Sequence, residues 1–356
     1  MAFSSDVLVT TTYELWGNFN ETFSKWHPTF DALYKKGSKK TLQGNYLEFG
    51  LTPDGPGTLN PIITGSEILV GARKMNSVKG HEFAGTTIYV YDVPGKDLRE
   101  ANGKEDLIGL IKKYPESGLS EFQESVARQL VAGDVPLCNN FPTLNGDATY
   151  DPAGTGARQG IFEFAAKAAQ TTTVHGVAKN SITGWHNQYE EITSFRTNGK
   201  MRMRQMKRTI EQEGSQRKGA DQIYADNGTY DQYLEILDDQ VRITASNTRG
   251  GDRAPQNVRE GVLVLGAEMY ADQYITAAAF STASAVDGVA YFLNNESWNL
   301  FMQGHNAGKE TKGDFAHREV GRLPNQEMWR YEIVLAWGLF CDDLRRNGVV
   351  CGGRRA

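Results

Sequence analysis

Apolar and polar positions along this chain change period several times, and each change predicts an element. In "TIYVYDV" (87–93), Thr87, Tyr89 and Tyr91 alternate with Ile88 and Val90, the period of two that a strand requires. "GNYLEFGL" (44–51) stands upstream. Between them lie many glycines, Pro53, Pro56 and Pro61, and the basic group Arg73, Lys74 and Lys79. The two stretches are expected to open and close a long β-hairpin or extended loop over 45–92. A connection of that length with little core of its own is usually functional or mobile.

Residues 97–133 switch to a helical period. "KEDLIGLIKKY" sets Leu107, Leu110, Ile111 and Tyr114 on one face, and "LSEFQESVARQLVAGD" sets Leu119, Phe122, Val126 and Leu130 on one stripe. "PESG" (115–118) is expected to interrupt this run, with Ser120 and Gln123 as a capping box for a restart and Gly133 as the stop. "GIFEFAAKAAQ" (160–170) predicts a short helix. "KMRMRQMKRTIEQEG" (200–214) predicts a better one: Met203, Met206 and Ile210 lie inward, Lys200, Arg204, Lys207 and Glu211 outward, with Asn198 to start it and Gly214 to end it.

Further on, "DQIYADNGTYDQYLEIL" reads as strand, turn and helix, and "GVLVLGAEMYAD" as a strand leading into a turn. "DGVAYFLNNESWNLFM" (287–302) alternates through Val289, Tyr291 and Leu293, turns at Asn294-Asn295, and resumes with Trp298, Leu300 and Phe301. "YEIVLAWGLFC" (331–341) is apolar on both faces, as a strand buried inside a sheet would be. Trp185, Tyr291, Trp298 and Trp337 are the candidate structural core. Helices and strands mix without regular βαβ alternation, so the fold class is α+β rather than a doubly wound sheet.

Composition adds exclusions. A chain of 356 residues suits two domains or one elaborated domain. A net charge of −5 argues against coating nucleic acid through its phosphates. The cysteines, Cys138, Cys341 and Cys351, are too few and odd in number for a disulfide framework, and they suit a reducing compartment. The first residues lack a basic start followed by an apolar run, so no signal peptide is expected, and no run approaches the ~18 apolar residues of a membrane span. Residues 1–44 space Trp16, Phe19, Phe23, Trp26, Phe30 and Tyr34 among polar residues and end in "KKGSKK", the pattern of an arm lying on another surface.

Searches for chemistry return little. "GHNAGKET" has three residues between its glycines where a phosphate loop needs four, and Glu310 stands where the metal-binding hydroxyl belongs. "GTGARQG" follows "DPA" rather than a strand, so a turn into the expected 160–170 helix fits it better than a dinucleotide site. The histidines are scattered, and His186 beside Trp185 reads as a packing or hydrogen-bonding residue. "RTNGKMRMRQMKR" is basic but offers methionines where single-strand binding wants aromatics, so it reads as a solvated helix face over a methionine core, or else as a charged contact with a neighbouring chain. No catalytic, cofactor-binding or metal residue is assigned. Apolar segments serve packing and charges serve surfaces, which is the pattern of a protein that assembles.

In the order of its elements the chain resembles the major capsid proteins of tailed bacteriophages, with the Hong Kong 97-type fold, from about residue 45 onward. "GNYLEFGL…TIYVYDV" is similar to the family's extension loop. "VPGKDLREANGKEDLIGLIKKY" with "LSEFQESVARQLVAGD" is similar to its spine helix, and "GIFEFAAKAAQTTTVHGVAKNSITGWHNQYEEITSF" to the segment leading to a Trp-x-Asn, here Trp185 and Asn187. "KGADQIYADNGTYDQYLEIL" and "LVLGAEMYADQYI" followed by "VDGVAYFLN" are similar to axial elements, and "EMWRYEIVLAWGLFCDDLRRNGVVCG" to the final strand. The resemblance implies an N-terminal arm (1–44), an extension loop (45–95), a peripheral domain with spine helix (96–150 and 288–356) and an axial domain (151–287). On it, "DGVAYFLNNESWNLFM" is a strand–turn–strand of the peripheral core. Arg73, Lys74 and Lys79 become candidate contacts between subunits. The implied partners are further copies in pentamers and hexamers of an icosahedral shell, a separate scaffolding protein, a portal, decoration proteins, and packaged double-stranded DNA held without sequence-specific contact. No cofactor and no membrane are implied. The location implied is the virion capsid, assembled in the host bacterial cytoplasm. Two rival readings remain: an encapsulin-type compartment shell, and a soluble α+β enzyme using dispersed carboxylates.

Overall fold

A computed structural model describes residues 28–29, 32–33, 40–41, 46–51, 78–83, 85–96, 113–114, 117–118, 121–122, 124–130, 161–162, 166–171, 173–179, 184–192, 195–214, 219–238, 262–275, 288–302, 316–322 and 327–352. Two sheets organise them. The first is built on β14 (Met328–Cys341), the buried apolar strand. β4 (Gly85–Pro94) pairs antiparallel along it from Gly85↔Trp337 to Pro94↔Met328. Trp337 also pairs with Met302 of β12 (Trp298–Met302), and Val334 with Ala316 of β13 (Ala316–Arg322). β12 and β13 therefore share the edge of β14 opposite β4. β1 (Lys40–Thr41) adds a short parallel pairing to β12, so the end of the basic "KKGSKK" stretch is stitched into this sheet.

The strand facing β2 (Tyr46–Leu51) differs from the expected one. It is β3 (Val78–Phe83), in the register Tyr46↔Phe83 to Leu51↔Val78. "TIYVYDV" instead lies in β4 and pairs with β14. Its patterning is that of a strand against a core, and the core it finds is the main sheet.

One face of this sheet is covered by helix. Tyr91 stacks on Tyr331, with ring centroids 5.5 Å apart, and Tyr89 meets Phe122 at 6.4 Å. Phe122, Val126 and Leu130 are buried, as their three- and four-residue spacing requires. The last two residues of "PESG", Ser117 and Gly118, are helical, while Pro115 and Glu116 of the expected interruption lie outside the described residues. Packing accounts for the glycine. A Cβ at Gly118 would lie 2.9 Å from Cε1 of Tyr89, so the glycine permits a close helix–sheet approach instead of breaking a helix.

The second sheet has the order β7-β15-β11-β8-β10-β9. Its strands are β7 (Gln188–Glu191), β8 (Gln222–Ala225), β9 (Val262–Val264), β10 (Ala267–Ala271), β11 (Val289–Leu293) and β15 (Gly348–Cys351). All five residues of β11 are buried. Val289, Tyr291 and Leu293 join the core shared with the first sheet; Ala290 and Phe292 join a second core with Met203, Met206 and Ile210. A central strand covered on both faces needs no polar alternation. The stretch 287–302 is a strand–turn–strand, and Tyr291 and Leu293 share one core with Trp298 and Leu300, but the two strands do not pair with each other: β11 belongs to the second sheet and β12 to the first, and the turn between them carries the chain across.

Two α-helices flank this second core: α1 (Lys200–Glu213), preceded by a π-turn at Phe195–Gly199, and α2 (Asn227–Asp238). Gly214 ends α1, its N–H donating to the Ile210 carbonyl. Asn198 lies inside the π-turn and does not cap. Lys207, expected outward, is buried and donates to the Leu265 carbonyl at 2.5 Å. Of the helix expected at 160–170, Ile161 and Phe162 are not helical and Lys167–Ala169 form a 3-10 turn; 160 and 163–165 lie outside the described residues. Ile161 and Phe162 are both buried, and Phe162 packs on Tyr291 (5.1 Å) and Trp298 (5.9 Å), a pairing of neighbours that bends the chain there. "GVLVLGAEMYAD" makes two strands, β9 and β10, around a tight turn at Leu265-Gly266.

Candidate assembly surfaces

The hairpin of β2 and β3 carries an exposed ion pair. Lys79 Nζ lies 3.2 Å from Glu48 Oε2, and the lysine side chain is 79% exposed. An ion pair so exposed is worth about 0–1 kcal/mol, so Lys79 can exchange its partner at small cost. Arg73 and Lys74 lie outside the described residues.

The main sheet has a second surface, opposite the helix. Strand alternation puts Ile88, Val90 and Asp92 of β4 on it, paired in register with Val334, Glu332 and Arg330 of β14. Ile88 and Val90 are each nearly half exposed. Beside them Arg330 grips Asp92 with two hydrogen bonds, Nε and Nη2 each at 2.8 Å from a carboxylate oxygen. That contact holds the Asp92 carboxyl below its ordinary range. On the covered face Tyr89 donates to Glu121 at 2.7 Å; burial, then this carboxylate, push its phenol up to about 12. The sequence shows the alternation of β4 but not which set faces out, because Ile88 and Val90 are as strand-prone and apolar as Tyr89 and Tyr91.

Trp185, Tyr291, Trp298 and Trp337 are all at most 1% exposed. The Trp337 indole donates to Thr87 at 3.2 Å, and Thr87 donates to Gln129 at 2.9 Å, which ties β14, β4 and the covering helical segment together. His175 sits in the turn between β5 (Thr173–Val174) and β6 (Val177–Ala178) with φ 54°, and its imidazole accepts the Cys341 backbone N–H at 3.0 Å. Lys179 is buried and donates to the Ile161 carbonyl and to Asn187 Oδ1. These polar groups join neighbouring elements and serve the fold.

A polar cluster lies at the end of α1. Glu213 accepts from Lys167 (2.9 Å), Gln188 (3.0 Å) and His186 (3.2 Å). Partial burial raises the Glu213 pKa, but these bonds outweigh it and bring it to about 2. Burial pushes the His186 imidazole down. The cluster fastens the 167–169 turn and β7 to α1. Among the described residues no group of histidines, cysteines or carboxylates could hold a metal ion, and no helix is long and apolar enough to cross a membrane. "GHNAGKET" and "GTGARQG" lie outside the described residues, as does Cys138; Cys341 and Cys351 are buried.

No protein-family model and no curated protein matches the chain. Solved structures do. The chain is similar to that of the cyanophage A-1(L) capsid, at 12% identity, 92% coverage of each chain and a TM-score of 0.60. It is similar to the capsid of the native GTA particle at 8% identity, covering 90% of this chain and 89% of that one, with a TM-score of 0.53. It is also similar to the encapsulin of Synechococcus elongatus at 9% identity, covering 89% of this chain and 85% of that one, with a TM-score of 0.51. The fold is α+β, of the Hong Kong 97 capsid type.

Proposed function

We propose that this chain is a major capsid protein of a tailed phage, whose copies assemble as pentamers and hexamers into an icosahedral shell around a genome. The similarity to the cyanophage capsid chain over 92% of both chains carries the reading. The described surfaces suit it: a charged two-stranded hairpin, an uncovered sheet face, and buried polar groups spent on joining elements. Closed symmetric assembly repeats each contact many times, so weak contacts suffice. The role is structural. Its partners are other copies, with a separate scaffolding protein, a portal, decoration proteins and double-stranded DNA, the last held without base readout; the location is the virion, after assembly in the host cytoplasm.

The test is negative-stain microscopy with light scattering on the purified chain. Hollow particles or capsomers support the reading, and a stable monomer under all salt and crowding conditions would sink it. The encapsulin similarity supports a second reading, a compartment shell. Shells isolated from the native source distinguish the two, since DNA marks the first and a packaged enzyme the second.

A further inference from the structure

The outward charges of α1 and α2 stand in an order that costs each helix. On α1, Lys200, Arg204 and Arg208 follow one another at four-residue steps, Lys200 half-exposed and both arginines exposed. On α2, Asp231 and Glu235 are exposed at the same step. Like charges four apart on a helix repel. The helix dipole favours acids in the first turn and bases in the last. Neither helix has an acid in its first turn or a base in its last. Instead α1 starts with Lys200 and Arg202 and ends with Glu211 and Glu213, and α2 ends with Glu235 and Asp238.

The two stripes find no relief inside the subunit. Other cations of α1 are committed: Arg202 pairs with Glu190, and the buried Lys207 donates to the Leu265 carbonyl. Both helices pack on the same core, yet among the described residues no ion pair reaches Arg204, Arg208, Asp231 or Glu235. Apolar atoms accompany each stripe. Met201, 59% exposed, lies one turn before Arg204, and the half-buried Leu234 lies one turn after Asp231. Arginine and methionine are enriched where proteins meet.

We propose that the Arg204–Arg208 stripe of one copy docks on the Asp231–Glu235 stripe of the next. The proposal rests on the shell-subunit reading. The chain itself supplies the occupant. Its cations and its anions recur at the same step, ~6 Å along each helix, so two anions of one copy can meet two cations of another. Nucleic acid fits less well, because phosphates approaching α1 would also meet Asp231 and Glu235 on a helix packed on the same core. Two different patches meet, so the contact is head-to-tail, the kind that builds rings. Each exposed pair is weak, and a ring repeats it at every subunit.

Charge reversal tests it. One chain carries Arg204→Glu with Arg208→Glu, a second carries Asp231→Lys with Glu235→Lys, and a third carries all four changes. Unassembled, each should melt no lower than wild type, since no buried group is touched. The first and second chains alone should each need a concentration for half-assembly on the order of tenfold higher, because like charges then face each other. The third should assemble near the wild-type concentration. So should an equimolar mixture of the first two, in which reversed stripes alternate around a six-membered ring. Assembly of either double variant alone at the wild-type concentration overturns the contact, as does a third chain that stays defective. Rescue in the third chain without rescue in the mixture overturns it too, and places the pairing within one subunit. All of these leave the shell reading intact. A wild-type chain that forms no particles removes that reading, and this proposal with it.

Discussion

The indole Nε1 of Trp298 donates to Oδ1 of Asn347 at 2.8 Å, and neither residue is exposed to solvent. The two lie on different crossings between the sheets. Trp298 follows the turn that takes the chain from β11 to β12, and Asn347 lies on the connection from β14 to β15. The same Oδ1 accepts the Asn294 N–H at 2.8 Å, and Nδ2 donates to Ser297 Oγ (2.9 Å) and the Asp343 carbonyl (3.0 Å). One buried amide therefore fastens both crossings, and with them the relative placement of the two sheets.

Asn347→Ala should be strongly destabilising. It strands the Trp298 indole N–H and the Asn294 N–H where water cannot reach them. Each buried unsatisfied donor costs about 1–3 kcal/mol. We expect a loss of about 3 kcal/mol, read as a fall in denaturant midpoint in unassembled protein. A loss under about 1 kcal/mol would mean that water or a rearranged side chain replaces the amide.

Trp298→Ala and Trp337→Ala should damage folding rather than any separable activity. Both rings are fully buried, Trp298 against Phe162 and Trp337 with its indole on Thr87. Truncating a buried aromatic costs about 3–5 kcal/mol, a large part of a domain's stability. Soluble variants melting at the wild-type temperature would contradict this.

Glu213 predicts an acid limb. Its folded pKa is depressed from 4.5 to about 2, so its stabilisation is complete above the unfolded value and is lost as pH falls from there towards the folded one. The side chain is 37% exposed, so solvent screening reduces the effect to about 1 kcal/mol. Glu213→Gln should be less stable than wild type at pH 5, and that difference should largely vanish by pH 2.5. Unfolding curves measured at both values decide it, and a difference that persists unchanged at the lower pH would assign the loss to packing.

Much of the fold was legible wherever one face of an element is buried. Phe122, Val126 and Leu130, or Met203, Met206 and Ile210, mark their helix faces because the opposite faces are polar. β14 was readable as a buried strand from its unbroken apolar run. Pairing was harder. "GNYLEFGL" and "TIYVYDV" are both well patterned, and nothing local says that the first pairs with Val78–Phe83 while the second crosses to residue 328 and beyond. Lys207 looked like surface because lysines usually are, and its acceptor lies 58 positions away. Gly118 looked like a breaker because its reason, the Tyr89 ring, comes from a different element.

The last prediction concerns the stretch from about Asp54 to Glu82. Its sequence holds Pro56 and Pro61, several glycines and few large apolar residues. Such a composition gives little burial to offset the entropy of ordering, about 1–2 kcal/mol per residue. Val78–Phe83 at its end is already ordered by pairing with β2; we expect the rest to gain its order from a neighbouring subunit, with Arg73, Lys74 and Lys79 meeting acidic surface there. Lys79 is placed for this, exposed and paired with Glu48 among the described residues. Exposed pairs are each worth ~0–1 kcal/mol, yet every subunit repeats them, so assembly should weaken as salt rises. Trypsin reads the contact directly, because all three residues are its targets. In unassembled protein, cleavage after Arg73 or Lys74 should be fast, and cleavage after Lys79 slower, because that residue lies in β3 paired with β2. In closed shells it should be slow, with the chain otherwise intact. Equal cleavage rates in the two states would show that this stretch clasps no neighbour, and the charged hairpin would then need another explanation.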